Sequence, residues 1–301
     1  MKRLLILLIG GLFWLTASVV TLAAPVSETL KSGGDLRNYW LVSPEGIDRA
    51  KPAPLLLVLH GSAGSGEDMM TVTRRGFERL ADKEKFIVVY PDALERRWND
   101  QGGTVDDVAF LLAIVDKLVA DGLVDKTRVF VTGISNGGMM AQRLACEQAE
   151  RIAGIATVAG GLSEPLQATC KPTRPLPVLV IHGTEDPIVP WAGGAVAGFE
   201  DFGKVLSARE TATFWAANNR CGAGGVIMPE PDRDPRDGTR VKMEAFASCP
   251  AGAAVRLAAV EGGGHTWPGG YQYLPERFIG RTSQDVDANS LIWNFFKETG
   301  K

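Results

Sequence analysis

Short and continuously apolar runs are the feature that most constrains the fold of this chain. The clearest runs occupy residues 54–60, 86–90, 128–132, 176–182 and 254–260. A strand with one solvated face would alternate apolar and polar residues, so these runs are predicted to be buried on both faces of a mostly parallel sheet. Apolar residues recur at helical spacing in 105–120, 139–148 and 283–297. Alternating strands and helices predict an α/β fold with helices on both faces of a central sheet.

Residues 218–250 depart from this alternation. The segment is rich in Gly, Pro, Asp and Arg, and we expect a long surface excursion with one strand near 241–246. No internal repeat or low-complexity tract interrupts the remaining sequence, so a single domain over residues 24–301 is expected.

The N-terminus has the layout of a signal peptide. Met1-Lys2-Arg3 is followed by an apolar stretch and then by small residues at 21–24. This layout predicts export with cleavage after Ala23, so that residues 1–23 are removed. An uncleaved anchor is the alternative, although the apolar stretch is shorter than the ~20 residues of a spanning helix. The mature protein is therefore expected to be secreted or periplasmic.

The charge balance argues against polyanionic partners. The formal charge is −3, and loss of the signal peptide removes Lys2 and Arg3 but no acidic residue. An acidic chain offers no basic patch to nucleic acid or to an anionic surface. Neither nucleic acid nor, after signal cleavage, a membrane is expected as a partner.

The four cysteines are Cys146, Cys170, Cys221 and Cys249. An even number in an exported chain predicts two disulfides, for which three pairings are possible. We favour Cys146 with Cys170 and Cys221 with Cys249, because each pair brackets one short stretch of chain. None has C-x-x-C spacing, so no metal site is expected.

A G-x-S-x-G motif centred on Ser135 lies between the predicted strand 128–132 and the predicted helix 139–148. In such a turn the chain bends so sharply at serine that only glycine fits two residues before and after it. The helix that follows directs its amide groups and its dipole at the serine. Ser135 is therefore the predicted nucleophile.

A serine hydroxyl needs a base, usually a histidine held by a carboxylate. Of the three histidines, His60 precedes the nucleophile, and His182 ends a predicted strand where its ring is expected to pack against the sheet edge. His265 remains, in a glycine-rich loop after the strand at 254–260. The chain order of serine, acid and histidine in α/β-hydrolases then favours His265 as the base.

Asp186 is the predicted acid. It follows the buried strand 176–182, so it is expected at the same sheet edge as Ser135, and Pro187 stiffens its backbone. A rigid carboxylate suits the task of holding one tautomer of the histidine ring. Glu185 and Asp201 are the nearest rivals.

Acyl transfer also requires donors for the developing oxyanion. The backbone N–H of Asn136, directly after the nucleophile, is one predicted donor. The amide of Ser62, in the loop that follows the strand at 54–60, is the other. This glycine-rich loop lacks the Lys-Ser/Thr of a phosphate-binding loop, so nucleotide binding is not expected.

With these residues identified, the chain resembles the secreted esterases grouped with polyhydroxybutyrate depolymerases and feruloyl or acetylxylan esterases. The resemblance rests on LHGSAG at 59–64, VDDVAFL at 105–111, GISNGGMMAQRLAC at 133–146, IHGTEDPIVP at 181–190 and EGGGHTWPGG at 261–270. It implies an α/β-hydrolase fold and ester hydrolysis without a cofactor, with Ser135, Asp186 and His265 as the triad.

The substrate is the least constrained feature. Little chain separates Ser135 from Asp186, so no large lid is expected, and an open site would admit an ester carried on a polymer. Trp267, Trp98 and Trp191 are predicted substrate-wall residues, with partial burial in the core as the alternative for the last two. We favour feruloyl or acetyl esters of plant polysaccharide. The alternatives are a poly(3-hydroxybutyrate) depolymerase and a non-catalytic glycan-binding protein of the same fold.

Overall fold

The computed structural model describes residues 23–48, 50–198, 203–222 and 224–300. The predicted signal peptide lies outside these residues except for Ala23, and so does the rival acid Asp201. No helix in the described ranges is long and apolar enough to cross a membrane.

The strands of the described chain form a large central sheet and one small ribbon. They are β1 (Val26–Ser32), β2 (Asp35–Val42), β3 (Ala53–Leu59), β4 (Ile87–Pro91), β5 (Val124–Ile134), β6 (Gly154–Val158), β7 (Val178–Gly183), β8 (Gly194–Ala195), β9 (Lys204–Val205), β10 (Gly225–Pro229), β11 (Arg240–Phe246) and β12 (Val255–Glu261). The sheet has the order β1-β2-β4-β3-β5-β6-β7-β12-β11-β10, and β8 pairs with β9.

The middle of the sheet is parallel and its two ends are antiparallel. Strands β4, β3, β5, β6, β7 and β12 run in one direction. The pair β1 and β2 and the pair β11 and β10 continue the sheet with antiparallel pairing. The prediction of a mostly parallel sheet is confirmed. All carboxyl ends of the parallel strands therefore meet at one edge, where a site is expected in such folds.

Helices cover the sheet on both faces. They are α1 (Gly66–Val72), α2 (Gly76–Glu84), α3 (Asp107–Ala120), α4 (Asn136–Glu147), α5 (Glu164–Thr169), α6 (Ala208–Asn218), α7 (Glu276–Ile279) and α8 (Ala288–Thr299), with a 3₁₀ turn at Leu94–Arg96. Core residues of α3, α4 and α6 pack on one face, and those of α1, α2 and α8 pack on the other.

The continuous apolar run of β3 is explained by this two-sided cover. Leu55, Leu57 and Leu59 point into the layer of α3, α4 and α6. Leu56 and Val58 point into the layer of α1, α2 and α8. Since successive side chains of a strand point to opposite faces, a strand buried on both sides has no polar position.

Some predicted boundaries are wrong. Helix α4 begins at Asn136 rather than at 139, because Ser135 is its N-cap. Helix α8 begins at Ala288 rather than at 283, because the Asp287 side chain accepts a hydrogen bond from the Asn289 amide and caps the helix there. The capping side chain, rather than the start of the apolar pattern, sets where α8 begins.

The excursion at 218–250 contains a hairpin rather than one strand. Strand β10 pairs antiparallel with β11 and extends the sheet beyond β12. It escapes sequence analysis because Val226, Ile227 and Met228 are all exposed and show no alternation.

Two disulfides are present, in the favoured pairing. Cys146 at the end of α4 is bonded to Cys170, which follows α5. Cys221 is bonded to Cys249, so this bond closes the excursion that carries β10 and β11. A link of this kind restricts the unfolded chain and so stabilises the folded one.

Candidate active site

Ser135 occupies a sharp turn between β5 and α4. Its backbone angles are φ 57° and ψ −125°, a conformation that costs a non-glycine residue about 1–3 kcal/mol. Its N–H donates to the Val158 carbonyl, and its own carbonyl accepts from the Met139 amide, at 2.8 and 3.0 Å. These bonds hold the strained residue at the carboxyl edge of the sheet, as a nucleophile elbow requires.

The two glycines of the motif are required by close backbone contacts. A Cβ on Gly133 would lie 2.5 Å from the Gly137 carbonyl carbon. A Cβ on Gly137 would lie 2.5 Å from the carbonyl oxygens of both Leu59 and His60. The turn at Ser135 therefore brings the start of α4 against the end of β3, which any larger residue would prevent.

His265 and Asp186 are in direct contact. The Nδ1 atom of His265 lies 2.8 Å from Oδ2 of Asp186, and both side chains are almost fully buried. An ionised carboxylate only accepts, so Nδ1 carries the proton and donates it to Asp186. The other ring nitrogen, Nε2, is then in the form that can accept a proton.

The Asp186 carboxylate is fixed on its other side by backbone amides. Its Oδ1 accepts from the amides of Ile188 and Val189 at 2.8 and 2.9 Å. Burial opposes ionisation, but the ring of His265 and hydrogen bonds from His182 and His265 outweigh it and hold the pKa of Asp186 well below its usual range. The carboxylate therefore stays charged at any pH near neutrality.

The loop that carries His265 packs too tightly for side chains. A Cβ on Gly264 would lie 2.1 Å from the Ile279 carbonyl oxygen. The His265 amide donates to that same oxygen, and the His265 carbonyl accepts from the Tyr273 hydroxyl at 2.7 Å. Burial and then the charge of Asp186 raise the pKa of Tyr273, so its hydroxyl remains a donor. The residues after His265 thus position it.

The other two histidines support loops. His182 is buried at the end of β7, where its Nε2 donates to the Val189 carbonyl and lies 3.4 Å from Oδ2 of Asp186. His60 accepts the Ala93 amide at Nε2, so its Nδ1 carries the proton and donates to the Gly61 carbonyl. Burial is the main cause that lowers the pKa of His60.

The two amides predicted as oxyanion donors lie at the same edge of the sheet. Asn136 is the first residue of α4, where helix amides have no intrahelical acceptor. In the loop after β3, the Ala63 and Gly64 amides donate to the carbonyls of Arg96 and Gly61. The Ser62 amide has no acceptor among the described residues, which leaves it available to a ligand.

Ser135 and His265 line one cavity of about 560 Å³, together with Gly61 and Ser62. Its remaining walls are largely apolar and come from α1, the end of β5, the loop after Asp186 and the segment before and within α7. They include Met69, Val72, Ile134, Ile188, Tyr271, Tyr273, Leu274 and Ile279. A cavity of this volume suits a small organic group, and its walls favour an apolar or aromatic one.

The tryptophans predicted as substrate walls do not line this cavity. Trp267 is fully buried in the α8 layer, and its Nε1 donates to Asn289. Trp98 is also fully buried, and its Nε1 donates to the His60 carbonyl. Trp191 packs partly buried against the other core layer, with its ring 6.1 Å from that of His182. None of the three is therefore placed at this cavity: core packing and indole hydrogen bonds hold Trp267 and Trp98, and Trp191 has the partial core burial that was its alternative.

The aromatic wall of the cavity consists of two tyrosines that the sequence patterns do not predict. Tyr271 and Tyr273 follow the EGGGHTWPGG motif directly, and half of the Tyr271 side chain is exposed. Their only sequence signal is proximity to His265, which Trp267 shares. In the described part of the chain, no group of three or more His, Cys, Asp or Glu side chains is arranged to hold a metal ion.

Sequences similar to this chain are named as esterases. The model of a phospholipase/carboxylesterase family matches residues 92–199. A protein named "Putative esterase NocK" from Nocardia uniformis subsp. tsuyamanensis is 35% identical over 289 residues, which cover 91% of this chain and 83% of that protein. "Feruloyl esterase C" of Emericella nidulans is 33% identical over 162 residues, 52% of this chain and 58% of its own length.

A solved structure shares the architecture. The acetyl xylan esterase from Aspergillus awamori superposes with a TM-score of 0.59 over 80% of this chain and 94% of its own. The two sequences are only 15% identical in that superposition, so the likeness concerns the fold.

Proposed function

The chain belongs to the esterase family of the α/β-hydrolase fold and is a carboxylic ester hydrolase, and from this premise we propose that it acts through an acyl-enzyme on Ser135, with His265 as base and Asp186 as the acid. One observation carries the proposal. Ser135, in its strained turn, and His265, bonded to Asp186, line the same cavity at the carboxyl edge of the sheet.

In the acylation step, Nε2 of His265 takes the proton of the Ser135 hydroxyl while the Ser135 oxygen attacks the ester carbonyl carbon. The carbonyl oxygen becomes an oxyanion, which the amides of Asn136 and Ser62 stabilise. Collapse of this intermediate breaks the bond to the alcohol oxygen, which takes the proton from Nε2. The Asp186 carboxylate stabilises the imidazolium while it exists.

Deacylation repeats the sequence with water. Nε2 of His265 removes a proton from a water molecule, and the resulting oxygen attacks the acyl carbonyl carbon. The Ser135 oxygen then leaves and receives that proton from His265. The products are a carboxylic acid and an alcohol, and no redox step or external group is required.

For the substrate we propose feruloyl or acetyl esters of plant polysaccharide. The half-exposed ring of Tyr271 and the apolar residues of the cavity suit a flat aromatic acyl group. The relative named feruloyl esterase C supports the same class. The exposed position of Leu274 and Tyr271 at the cavity leaves room for an alcohol that is part of a larger molecule.

We propose that the protein is exported to a secreted or periplasmic location. The N-terminal sequence has the signal-peptide layout, and both disulfides need an oxidising compartment to persist. N-terminal sequencing of the exported protein should find Ala24 first. A mature protein that retains Met1 would contradict this part of the proposal.

The test of the mechanism is the Ser135→Ala variant and a fluorophosphonate probe. The variant should lose ester turnover by several orders of magnitude at an unchanged melting temperature. The probe should label Ser135 and no other residue of the native enzyme, and it should not label the variant. The substrate is tested by kcat/KM for methyl ferulate, acetylated xylan and a soluble 3-hydroxybutyrate oligomer. A clear preference for the oligomer would overturn the substrate and leave the mechanism standing.

A further inference from the structure

The side-chain amide of Asn136 makes all of its hydrogen bonds inside the protein. It is buried, its Oδ1 accepts the Trp98 amide at 2.7 Å, and its Nδ2 donates to the Trp98 carbonyl at 3.0 Å and to Oδ1 of Asp100 at 2.7 Å. Both amide protons and the amide oxygen are therefore used. The residue whose backbone N–H faces the substrate is held by its side chain on the segment that follows β4.

Trp98 joins this residue to the other half of the oxyanion site. Its Nε1 donates to the His60 carbonyl at 2.9 Å, and its ring lies 5.0 Å from the His60 ring. His60 directly precedes the loop of Gly61 and Ser62. One fully buried tryptophan thus contacts the element behind each proposed oxyanion donor, Asn136 through its backbone and the Ser62 loop through its indole.

Asp100 and Trp98 together fix which way the Asn136 amide points. A carboxylate only accepts, so the Asn136 NH₂ group must face it, and the Asn136 oxygen is then left for the Trp98 N–H. If the amide turned over, its NH₂ group would meet the N–H of Trp98. The carboxylate of Asp100 and the N–H and carbonyl groups of Trp98 therefore exclude the flipped arrangement together.

The carboxyl of Asp100 is costly for the fold. It is buried, and its Oδ2 has no hydrogen-bond partner among the described residues. Burial raises the pKa of Asp100 to about 6, although the charges of Arg97 and Arg143 and the bond from Asn136 oppose the shift. Such a group adds little stability, so its use calls for another explanation.

We propose that Asp100 and Trp98 are positioning residues for ester hydrolysis, which hold Asn136 and the Ser62 loop so that both amides point at the oxyanion. The proposal rests on the acyl-enzyme mechanism above. Neither residue needs to touch the substrate. Their loss should therefore weaken binding of the transition state and leave binding of the ground state nearly unchanged.

The first test compares Asp100→Leu with Asp100→Asn, using p-nitrophenyl acetate as substrate. The amide introduced by Asp100→Asn can still present an oxygen to Asn136, so this variant should retain kcat within a few fold. Asp100→Leu keeps the branched shape, with a larger volume, and removes the acceptor, so kcat should fall by about 10- to 100-fold, less than the full loss of an oxyanion donor. KM should change little. An unchanged kcat in Asp100→Leu, or a loss confined to KM, would overturn the proposal.

A double-mutant cycle separates positioning from general damage. If Asp100 acts through the Asn136 side chain, then Asn136→Ala should lower kcat by a similar factor, and Asp100→Leu should add little to it. Losses that multiply in the double variant would contradict the proposal. If Asp100→Leu fails to fold, Trp98→Phe tests the other contact of the proposal, because it keeps an aromatic ring and the backbone bonds to Asn136 and removes the indole donor to the His60 carbonyl, together with part of the ring. It should lower kcat without raising KM, and a wild-type kcat would refute the link.

Failure of this inference can be told from failure of the mechanism. If Ser135 is not the nucleophile, Ser135→Ala keeps its activity and the fluorophosphonate does not label Ser135. If only the positioning role is wrong, Ser135→Ala is inactive while the Asp100→Leu and Trp98→Phe variants turn over the ester at the wild-type kcat.

Discussion

The bond between Asp186 and His265 makes a sharp prediction for Asp186→Asn. The amides of Ile188 and Val189 donate to Oδ1 and require an acceptor, so the oxygen of the new side-chain amide should stay with them. The new NH₂ group must then take the place of Oδ2, 2.8 Å from Nδ1 of His265. Two donors would meet there, and the ring relieves the conflict by moving its proton from Nδ1 to Nε2.

A ring protonated at Nε2 cannot accept the proton of Ser135. The substitution should therefore leave the site in place and remove its base, with a loss in kcat of about 10⁴-fold, the size measured for the same change in a serine protease triad. That loss corresponds to about 5 kcal/mol of transition-state stabilisation. KM should stay within a few fold of the native value, because the walls of the cavity do not change.

The matched control is Glu185→Gln, which removes the neighbouring carboxylate. Glu185 is exposed, and its backbone amide donates to the Gly263 carbonyl, a bond that glutamine preserves. Steady-state kinetics with p-nitrophenyl acetate should give Glu185→Gln a kcat near the native value. The reasoning fails if folded Asp186→Asn keeps more than about a tenth of the native kcat, or if Glu185→Gln loses more.

The cavity wall, the first disulfide and the buried acid each give a further prediction. Tyr271→Ala should lower kcat/KM for methyl ferulate several fold more than kcat/KM for methyl acetate. Trp267→Phe should lower the melting temperature and leave both kcat/KM values unchanged. Steady-state kinetics and thermal melts check these two outcomes. Replacing Cys146 and Cys170 by alanine opens a link across 24 positions and should cost about 3 kcal/mol in urea unfolding, with the native kcat retained. Because folding raises the pKa of Asp100 to about 6, the folded state binds its proton more tightly than the unfolded state. The free energy of unfolding should therefore fall by about 3 kcal/mol as pH rises from about 3 to about 7, and Asp100→Asn should lack this component in urea titrations.

Sequence alone predicts the centre of this fold because β3 and its parallel neighbours are buried on both faces. Their residues must be apolar at every position, and that pattern is visible without any knowledge of their partners. Ser135 is predictable for a similar reason. Gly133 and Gly137, two residues before and after it, are required by close contacts of the strand-turn-helix unit with itself and with the end of β3. This requirement appears in the sequence as a short motif.

The edges of the sheet lack such a signal. Strand β1 has no fully buried residue, and none of the residues of β10 is buried. Hydrogen bonds to β2 and β11 determine these strands, and such pairing leaves little trace in composition. The buried position of Asp100 also leaves no signal in the sequence, because it depends on Asn136 and Trp98, which only the folded chain brings together with it.

Tyr271 lines the cavity and Trp267 does not, although the two residues are close in sequence. A turn at Gly269, with φ 73°, and Gly270 separates their surroundings. After the turn the Tyr271 amide donates to the Val72 carbonyl, and a Cβ on Gly270 would lie 2.5 Å from that same oxygen. The side on which each aromatic ring lies is thus decided by a contact with α1, which lies far earlier in the chain. Because α1 and the segment after this turn build the acyl wall jointly, a change in specificity should require paired substitutions at Val72 and Tyr271, with effects on kcat/KM that are not additive.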